Sequence, residues 1–246
     1  AMKPFQFPEA YNAIVKASKE QDQKEIPLLL STTNFKNKSC LEIGAGPNAR
    51  LAIKLFNSKQ PPSHITCIDP FNTNAIKTIA NNRNLQSKLE AIKPNNETLL
   101  PFKDEEFDIT YAGWTPSNLL KNPDYLNELI RVTKNHIIII MPGPKGDIPK
   151  MRDLILNEKE KKKKQELKTL LTTHFQSLGF KTNTKKETTL QLNFSNLETI
   201  FNTFHFFDFQ NNLMKEQQEK LKSFLKPKIH NFKDHLYIFH AKKLII

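Results

Sequence analysis

Short apolar runs and helical patterns alternate from residue 39 to residue 141, and this alternation limits the chain to few folds. It predicts helices at residues 49–57, 73–82 and 124–133, and strands at 39–43, 65–69, 89–92, 107–112 and 136–141. The last strand contains four consecutive isoleucines, as expected of a strand that is buried on both faces. Strands and helices alternating at this spacing predict a parallel sheet with helices on both sides.

Helical patterns also flank this region. Residues 8–31 predict one or two N-terminal helices, broken near Pro27. Beyond Pro149, a long helical stretch is predicted at about 151–178, and Gly179 is well placed as its C-cap. The rest of the prediction consists of two strands at 180–186 and 188–193, helices at 196–209 and 215–225, and a last strand at 235–241.

The length of 246 residues predicts either one α/β domain with additions or two small domains. No apolar run approaches the roughly 20 residues that a membrane-spanning helix needs. No export signal is visible, so we expect a cytoplasmic protein. Cys40 and Cys67 lie in predicted strands, where burial is expected, and no spaced set of Cys and His predicts a metal site.

The formal net charge of +12 has two interpretations. Clustered Lys and Arg gain affinity for phosphates by releasing counterions, which favours a nucleic-acid partner. The excess is mostly lysine, however, and the chain is also rich in Asn, Ile and Phe, a bias that an AT-rich genome produces without selection for binding. The lysine run at 159–168 is interspersed with glutamates, as is typical of a solvated helix face.

The strongest local motif spans residues 41–49, where a strand leads into Gly44-Ala45-Gly46 and then into a helix. Glycines let the backbone turn sharply and approach a ligand closely, and the following helix offers free N–H groups. A nucleotide-type ligand needs such a turn. The motif is not specific by itself, because Gly44, Gly46 and Ala49 also satisfy the dinucleotide fingerprint G-x-G-x-x-G/A.

Three further features narrow the choice. Glu42 stands two positions before the first glycine, at a strand end where a carboxylate can attract a cationic ligand. Asp69 ends the second strand, 23 positions after Gly46, near the spacing of about 20 expected for a ribose-binding acid. Residues 95–108 contain Leu-Pro-Phe followed by Phe-Asp.

With these features the chain resembles the class I S-adenosylmethionine-dependent methyltransferases, close to the group that includes the ubiquinone and menaquinone C-methyltransferases. The resemblance covers about residues 39–143. It implies a Rossmann-like α/β fold: a mostly parallel seven-stranded sheet with helices on both faces, an antiparallel C-terminal strand and an N-terminal helical cap. It also implies S-adenosylmethionine as the cofactor and S-adenosylhomocysteine as its product.

The resemblance assigns roles to individual residues. It implies that Glu42 holds the methionine ammonium group and that Asp69 accepts hydrogen bonds from the ribose hydroxyls. Asn96 stands where the family usually has an adenine-binding aspartate; its carbonyl oxygen can still accept a hydrogen bond, and Glu97 is the alternative. The other cofactor-binding positions that it implies are Gly44, Ala45, Gly46, Pro70, Phe71 and Ala112.

The sequence does not name the methyl acceptor. Ligands of such folds bind outside the carboxyl ends of the strands. Residues in or after strands four and five, together with one in the N-terminal helices, are therefore candidates for contact with the acceptor: Tyr111, Trp114, Lys145 and Tyr11. No catalytic residue is assigned, since a sulfonium is already a strong electrophile and a base is optional. Candidate bases that the sequence does not rank are Tyr11, His136, His174, His205 and Asp147.

We expect a single methyltransferase domain over residues 1–246. It divides into a helical cap (1–36), a cofactor-binding core (37–146), substrate-side helices and strand (147–234) and a terminal strand (235–246). The favoured function is methyl transfer to a small molecule. The alternatives are an RNA or protein acceptor reached through the basic surface, a non-catalytic S-adenosylmethionine-binding or scaffold protein of the same fold, and an NAD-dependent enzyme.

Overall fold

The computed structural model of the chain describes residues 8–96, 98–114, 117–165 and 167–244. Two compact units are present. The core unit comprises Ile26–Met141, Glu166–Glu187 and Tyr237–Ile246, and the second unit comprises Ala1–Glu25, Pro142–Gln165 and Thr188–Leu236. The single domain over residues 1–246 stays a prediction.

The described strands form a seven-stranded sheet in the order β3-β2-β1-β4-β5-β7-β6. Parallel pairs join β1 to β2 and to β4, β2 to β3, and β4 to β5. The sheet is mostly parallel with one antiparallel strand and has helices around it, so the predicted fold class is confirmed. The strands are β1 (Ser39–Ile43), β2 (His64–Ile68), β3 (Leu89–Ile92), β4 (Phe107–Gly113), β5 (Thr133–Pro142), β6 (Phe180–Leu192) and β7 (Phe232–Lys243).

The strand order reverses beside β1. The chain runs outward from β1 to β2 and β3, and then returns to place β4 on the other side of β1. Cys40 of β1 accordingly pairs with Ile65 of β2 and with Ile109 of β4. In open α/β sheets, ligands bind outside the carboxyl ends of the strands at such a reversal. The segments after β1, β2 and β3 all belong to the core unit.

Helices connect and flank the strands. Those of the described residues are α1 (Pro8–Ala17), α2 (Gln21–Leu30), α3 (Arg50–Phe56), α4 (Thr73–Asn82), α5 (Ser117–Leu120), α6 (Pro123–Val132), α7 (Asp147–Ile155), α8 (Glu158–Gln165), α9 (Leu167–Ser177), α10 (Leu197–Phe207) and α11 (Lys215–Leu225), with a short 3-10 turn at Lys226–Lys228.

The sequence of α6 explains why it forms where it does. The side chain of Asn122 accepts a hydrogen bond from the backbone N–H of Asp124, and Pro123 occupies the first turn, where its missing N–H costs nothing. The buried positions follow helical spacing and make one apolar face: Tyr125, Leu126, Leu129 and Val132.

Strand β5 lies at the centre of the core unit's packing. Ile137, Ile138, Ile139 and Ile140 are all 0–1% exposed, so both faces of the strand are buried as predicted. Ile137 and Ile139 belong to a cluster of buried side chains to which α6 and α9 also contribute. Burial of this apolar surface is the main favourable term in folding.

Three details of the predicted elements were wrong. The N-terminal break falls between Ala17 and Gln21, and Pro27 lies inside α2. The helical stretch at 151–178 is interrupted after α7, because Leu156 has an extended backbone. The two strands expected at 180–193 are one 13-residue strand, β6. Gly179 does follow α9 with a φ of 81°, the left-handed conformation that a helix C-cap requires.

The second unit has an aromatic core. The ring of Phe204 stacks on Phe232 at a centroid distance of 4.3 Å and meets Phe194 at 5.8 Å. These three side chains are buried and pack the interior of the second unit, although Phe207 of α10 is 39% exposed. Within the described ranges, no helix combines the length and the apolar character needed to cross a bilayer.

Two histidines of the core unit form a hydrogen-bonded pair. Nδ1 of His136 lies 2.9 Å from Nε2 of His240, and the hydroxyl of Thr33 lies 3.1 Å from Nε2 of His136. Burial, assisted by His136, Lys186 and Lys242, lowers the pKa of His240 to about 4. The fold therefore favours the neutral ring.

The His240 ring is expected to make the fold acid-sensitive. Its contribution to stability is present above pH 6.5, the ordinary histidine pKa, and is lost as the pH falls toward 4. Because the ring is partly exposed, the loss is expected to be only about 1–2 kcal/mol. Urea unfolding between pH 4 and 7 should show a shallower pH dependence in His240→Gln than in the wild type. Equal slopes would contradict this linkage.

Candidate functional site

The turn after β1 uses left-handed backbone at three positions. Gly44 has a φ of 66°, Gly46 a φ of 71° and Ala49, at the start of α3, a φ of 44°. The N–H of Gly44 donates to the carbonyl of Ile68, which ties the turn to the end of β2. Residues other than glycine rarely adopt such φ values, so the two glycines are needed for the shape of the turn.

Asp69 joins this turn to the segment after β2. Oδ2 accepts a hydrogen bond from the N–H of Gly46 at 3.0 Å. Oδ1 accepts three, from the N–H groups of Phe71 and Asn72 and from the side-chain amide of Asn72. Asp69 is 3% exposed. The carboxylate therefore fixes the relative position of two loops at the carboxyl ends of β1 and β2.

These contacts limit what Asp69 can still bind. An ionised carboxylate has about four acceptor positions over its two oxygens. Oδ1 already accepts three hydrogen bonds, whereas Oδ2 accepts one from the described residues. Oδ2 is thus the oxygen with capacity for a ligand hydroxyl.

Glu42 of β1, two residues before Gly44, is 2% exposed. Its Oε2 accepts a hydrogen bond of 2.8 Å from the hydroxyl of Tyr111, and Sγ of Cys67 lies 3.8 Å away. Burial raises the pKa of Glu42 to about 7, although Tyr111, Arg50 and Cys67 lower it in part. A buried carboxyl group of this kind binds a cationic ligand group more tightly than a neutral ligand group, because a nearby positive charge favours the ionised carboxylate.

Tyr111 is placed differently from the sequence prediction. It was predicted to face the acceptor, but it is 0% exposed and its hydroxyl donates to Glu42. Burial, followed by the charge of Glu42, raises the pKa of the Tyr111 hydroxyl well above its usual value. It therefore stays protonated as a hydrogen-bond donor and supports Glu42. The ring of Phe35 packs edge-on against it at 6.2 Å.

The segment after β3 carries Asn96, the predicted adenine-binding residue. Its Oδ1 accepts hydrogen bonds from the N–H of Thr98 at 2.8 Å and from the Thr98 hydroxyl at 3.0 Å. This is a local turn of a kind that Asn often makes. Asn96 is exposed, and Glu97, its predicted alternative, lies outside the described residues.

Other predicted cofactor positions line the same edge of the core unit. Phe71 is 43% exposed, Pro70 and Ala45 are half-buried, and Ala112 is 2% exposed near the end of β4. Trp114 follows β4 with a φ of 60° and donates its N–H to the carbonyl of Ile140. The structure thus brings together the ends of β1, β2 and β4 around the switch point.

The remaining acceptor candidates belong to the second unit. Tyr11 is half-buried in α1. Lys145 is exposed, and its N–H donates to Nδ1 of His235 at 3.3 Å. Gly143 contacts the same imidazole so closely that a Cβ would lie 2.0 Å from Nδ1, which explains the glycine there.

The candidate bases are engaged elsewhere. His174 lies 3.0 Å from the side-chain oxygen of Asn127, and His205 stacks on Phe201 at 5.1 Å. Asp147 accepts hydrogen bonds from the ammonium of Lys228 and from the N–H of Lys233. His136 lies near the amino end of β5, opposite to the carboxyl ends where this fold binds ligands.

Sequence reasoning missed the contacts that hold the segment after β3. Glu128 and Arg131 of α6 bind the backbone of Leu100 and Phe102. Their spacing of three residues indicates a pair on one helix face, but the sequence holds no signal of the loop that the pair contacts.

Residues 41–141 match the family model described as a methyltransferase domain, which is fewer than half of the 246 residues. No curated protein sequence matches the chain.

Solved structures resemble the whole chain at low sequence identity. The YcgJ protein of Bacillus subtilis is 11% identical with a TM-score of 0.61, covering 90% of this chain and 98% of that one. An S-adenosylmethionine-dependent methyltransferase of Aquifex aeolicus is 13% identical with a TM-score of 0.57, covering 97% and 100%. A Haemonchus contortus phosphoethanolamine N-methyltransferase, in complex with phosphomonomethylethanolamine and S-adenosylhomocysteine, is 14% identical with a TM-score of 0.56, covering 98% and 58%. The chain therefore has the Rossmann-like methyltransferase fold, and its residues 41–141 match the methyltransferase domain family.

Proposed function

We propose that the chain is an S-adenosylmethionine-dependent methyltransferase that acts on a small molecule. The observation that carries this proposal is the link from Asp69 to the N–H of Gly46, which places an acid and a left-handed glycine turn together at the switch point. Glu42 is buried in β1, two residues before the same turn. The methyltransferase family match over residues 41–141 supports the same cofactor class.

Each part of the cofactor has a proposed partner. Oδ2 of Asp69 accepts a hydrogen bond from one ribose hydroxyl, because Oδ1 is occupied by its own loop. Glu42 attracts the methionine ammonium group, and the Gly44–Gly46 turn lets the ligand approach the backbone. Phe71 and Asn96 contact the adenine; because Oδ1 of Asn96 already accepts two hydrogen bonds from Thr98, its side-chain amide nitrogen donates to a ring nitrogen of the base. An NAD-dependent enzyme has less support, because its fingerprint does not call for Glu42 at this position.

The bound cofactor supplies an electrophilic methyl group on sulfur. The residues of this chain bind and orient the two reactants and exclude water, and this positioning accounts for most of the catalysis. No general base is proposed, because every candidate base has another contact.

A small acceptor is favoured by the kind of relative that the fold matches. The Haemonchus enzyme binds phosphomonomethylethanolamine, a small molecule. The net charge of +12 favours the second candidate, an RNA or protein acceptor. The closer similarity to ubiquinone and menaquinone C-methyltransferases stays a prediction.

Calorimetry with S-adenosylhomocysteine tests the cofactor, with NAD as the control ligand. We expect saturable binding of S-adenosylhomocysteine and none of NAD; absence of binding at millimolar S-adenosylhomocysteine would contradict the proposal. Methyl-labelled S-adenosylmethionine then tests the acceptor in a cell extract. We expect the label in the low-molecular-mass fraction. Label in RNA or protein, in an amount that falls steeply as the salt concentration rises, would support the second candidate.

A further inference from the structure

One ion pair of α6 holds the segment after β3. Nε of Arg131 donates to Oε1 of Glu128 at 2.7 Å, and Nη2 donates to Oε2 at 2.8 Å. A bidentate pair of this kind fixes geometry in addition to contributing energy. The two side chains are half-buried, which shields the pair in part from solvent.

The pair contacts the backbone of the segment at three points. The N–H of Leu100 donates to Oε2 of Glu128 at 2.9 Å. Arg131 donates to the carbonyls of Leu100 at 3.1 Å and of Phe102 at 2.8 Å, and also to Oδ1 of Asp104 at 2.8 Å. We call the Glu128–Arg131 pair with these backbone contacts the loop clamp. It satisfies polar groups that a loop would otherwise leave to water.

The segment held by the loop clamp has exposed side chains before residue 100 and packed apolar side chains at residues 100 and 102. Leu100 is 3% exposed, and Phe102 packs edge-on against Phe107 at a centroid distance of 4.9 Å. Leu99, directly before the clamp, is 59% exposed despite its apolar side chain. Asn96 is exposed three positions earlier. The clamp therefore anchors the segment directly behind residues that are open to a ligand.

We propose that Glu128 and Arg131 are positioning residues for the adenine ring: they hold the segment that carries Asn96 and Leu99 in its binding conformation. This inference rests on the proposed function. Both residues act through the backbone of Leu100 and Phe102. Without the clamp, the segment samples other conformations, and the apparent affinity falls in proportion to the fraction that remains competent.

The test compares two ligands that differ only in the base. S-adenosylhomocysteine presents an unprotonated ring N1 that can accept from the Asn96 amide, whereas the base of S-inosylhomocysteine has a carbonyl oxygen in place of the amino group and carries a hydrogen on N1. We expect the wild type to prefer S-adenosylhomocysteine. In Arg131→Met, the affinity for S-adenosylhomocysteine is expected to fall about tenfold, and the ratio of the two ligand affinities is expected to approach one. This is the result for a segment that adopts its binding conformation about a tenth of the time. Arg131→Lys, which keeps the charge but not the bidentate geometry, should give an intermediate result and replaces the first variant if that fails to fold.

Arg152→Met is the matched control. Arg152 pairs with Asp208, and its side chain is 27% exposed against 30% for Arg131. The Arg152→Met variant removes an arginine–carboxylate pair of the second unit and should leave the ligand preference unchanged. An equal loss of affinity for both ligands in Arg131→Met, or no loss, would overturn the inference, since a structural role alone predicts no change in preference.

Hydrogen exchange separates this inference from the proposed function. If the wild type binds neither ligand, the proposed function fails, and the clamp is judged on the free protein. There we expect the amide of Leu100 to exchange at least about tenfold faster in Arg131→Met. Its acceptor, the Glu128 carboxylate, is then no longer held in place by Arg131. Equal exchange rates in the two proteins would show that the clamp does not hold the segment.

Discussion

Replacing Glu42 by glutamine is expected to stabilise the fold and to weaken binding of S-adenosylhomocysteine. The raised pKa of about 7 means that folding favours the protonated carboxyl group. The stability from this group is complete below pH 4.5, decreases between pH 4.5 and 7, and is absent above pH 7. Glutamine stays neutral at every pH and still accepts the Tyr111 hydrogen bond. At pH 8 the variant should therefore be more stable by up to about 3 kcal/mol, and at pH 5 by little.

The same variant loses the charge that we propose for the ammonium group. Hydrogen bonds to charged groups contribute about 1.5–3 kcal/mol, so affinity is expected to fall about 10- to 100-fold. In the wild type, affinity should rise with pH up to about 7 and then level off, because binding requires the carboxylate.

Chemical denaturation at pH 5 and pH 8, with calorimetry at pH 8, measures both effects. Glu90→Gln on β3 is the control, since Glu90 is exposed and lies in the same sheet. It should change neither quantity. If Glu42→Gln altered stability equally at both pH values, or left affinity intact, the proposed role of Glu42 would be wrong.

Removing the carboxylate of Asp69 is expected to abolish cofactor binding and to destabilise the core unit. Asp69→Ala leaves the N–H groups of Gly46, Phe71 and Asn72 without their acceptor. Because each buried donor left unpaired costs about 1–3 kcal/mol, a total loss of about 3 kcal/mol is expected after partial hydration. Asp69→Asn is the milder variant. It retains one oxygen and should still lose binding, since its amide cannot accept at both sides.

Asn72→Ala provides the contrast within the same contact network. It removes one side-chain donor from Oδ1 and leaves Oδ2 with Gly46. We expect a loss of about 1 kcal/mol in stability and an almost unchanged affinity for S-adenosylhomocysteine. Urea unfolding and calorimetry on the three variants distinguish the contribution of Oδ1 to stability from the contribution of Oδ2 to ligand binding. Full binding by Asp69→Asn would contradict the assignment of Oδ2 to the ribose.

The parts of the fold that depend on local pattern could be predicted. The isoleucine run gave β5, and the spacing of strands and helices gave the parallel sheet. The glycine turn and Asp69 were recognisable because a left-handed turn and a strand-end acid each need particular residue types. These features require few contacts from distant parts of the chain.

Features that depend on tertiary contacts were not predictable. Both faces of a central parallel strand are buried, so alternation did not reveal that Tyr111 is buried with its hydroxyl against Glu42. One local signal was overlooked. Asn157 and Glu160 cap each other's backbone N–H, and this capping box starts α8 within the stretch that was predicted as one helix.

The left-handed backbone at Ala49 has a consequence for variation at this position. An L-residue in this conformation costs roughly 1–2 kcal/mol relative to its preferred regions, and Ala49 is fully buried at the start of α3. Any larger side chain would add steric overlap to that conformational cost, whereas glycine would relieve it. Functional variants of this protein should therefore carry only alanine or glycine at residue 49, and a deep mutational scan should show every other substitution depleted there.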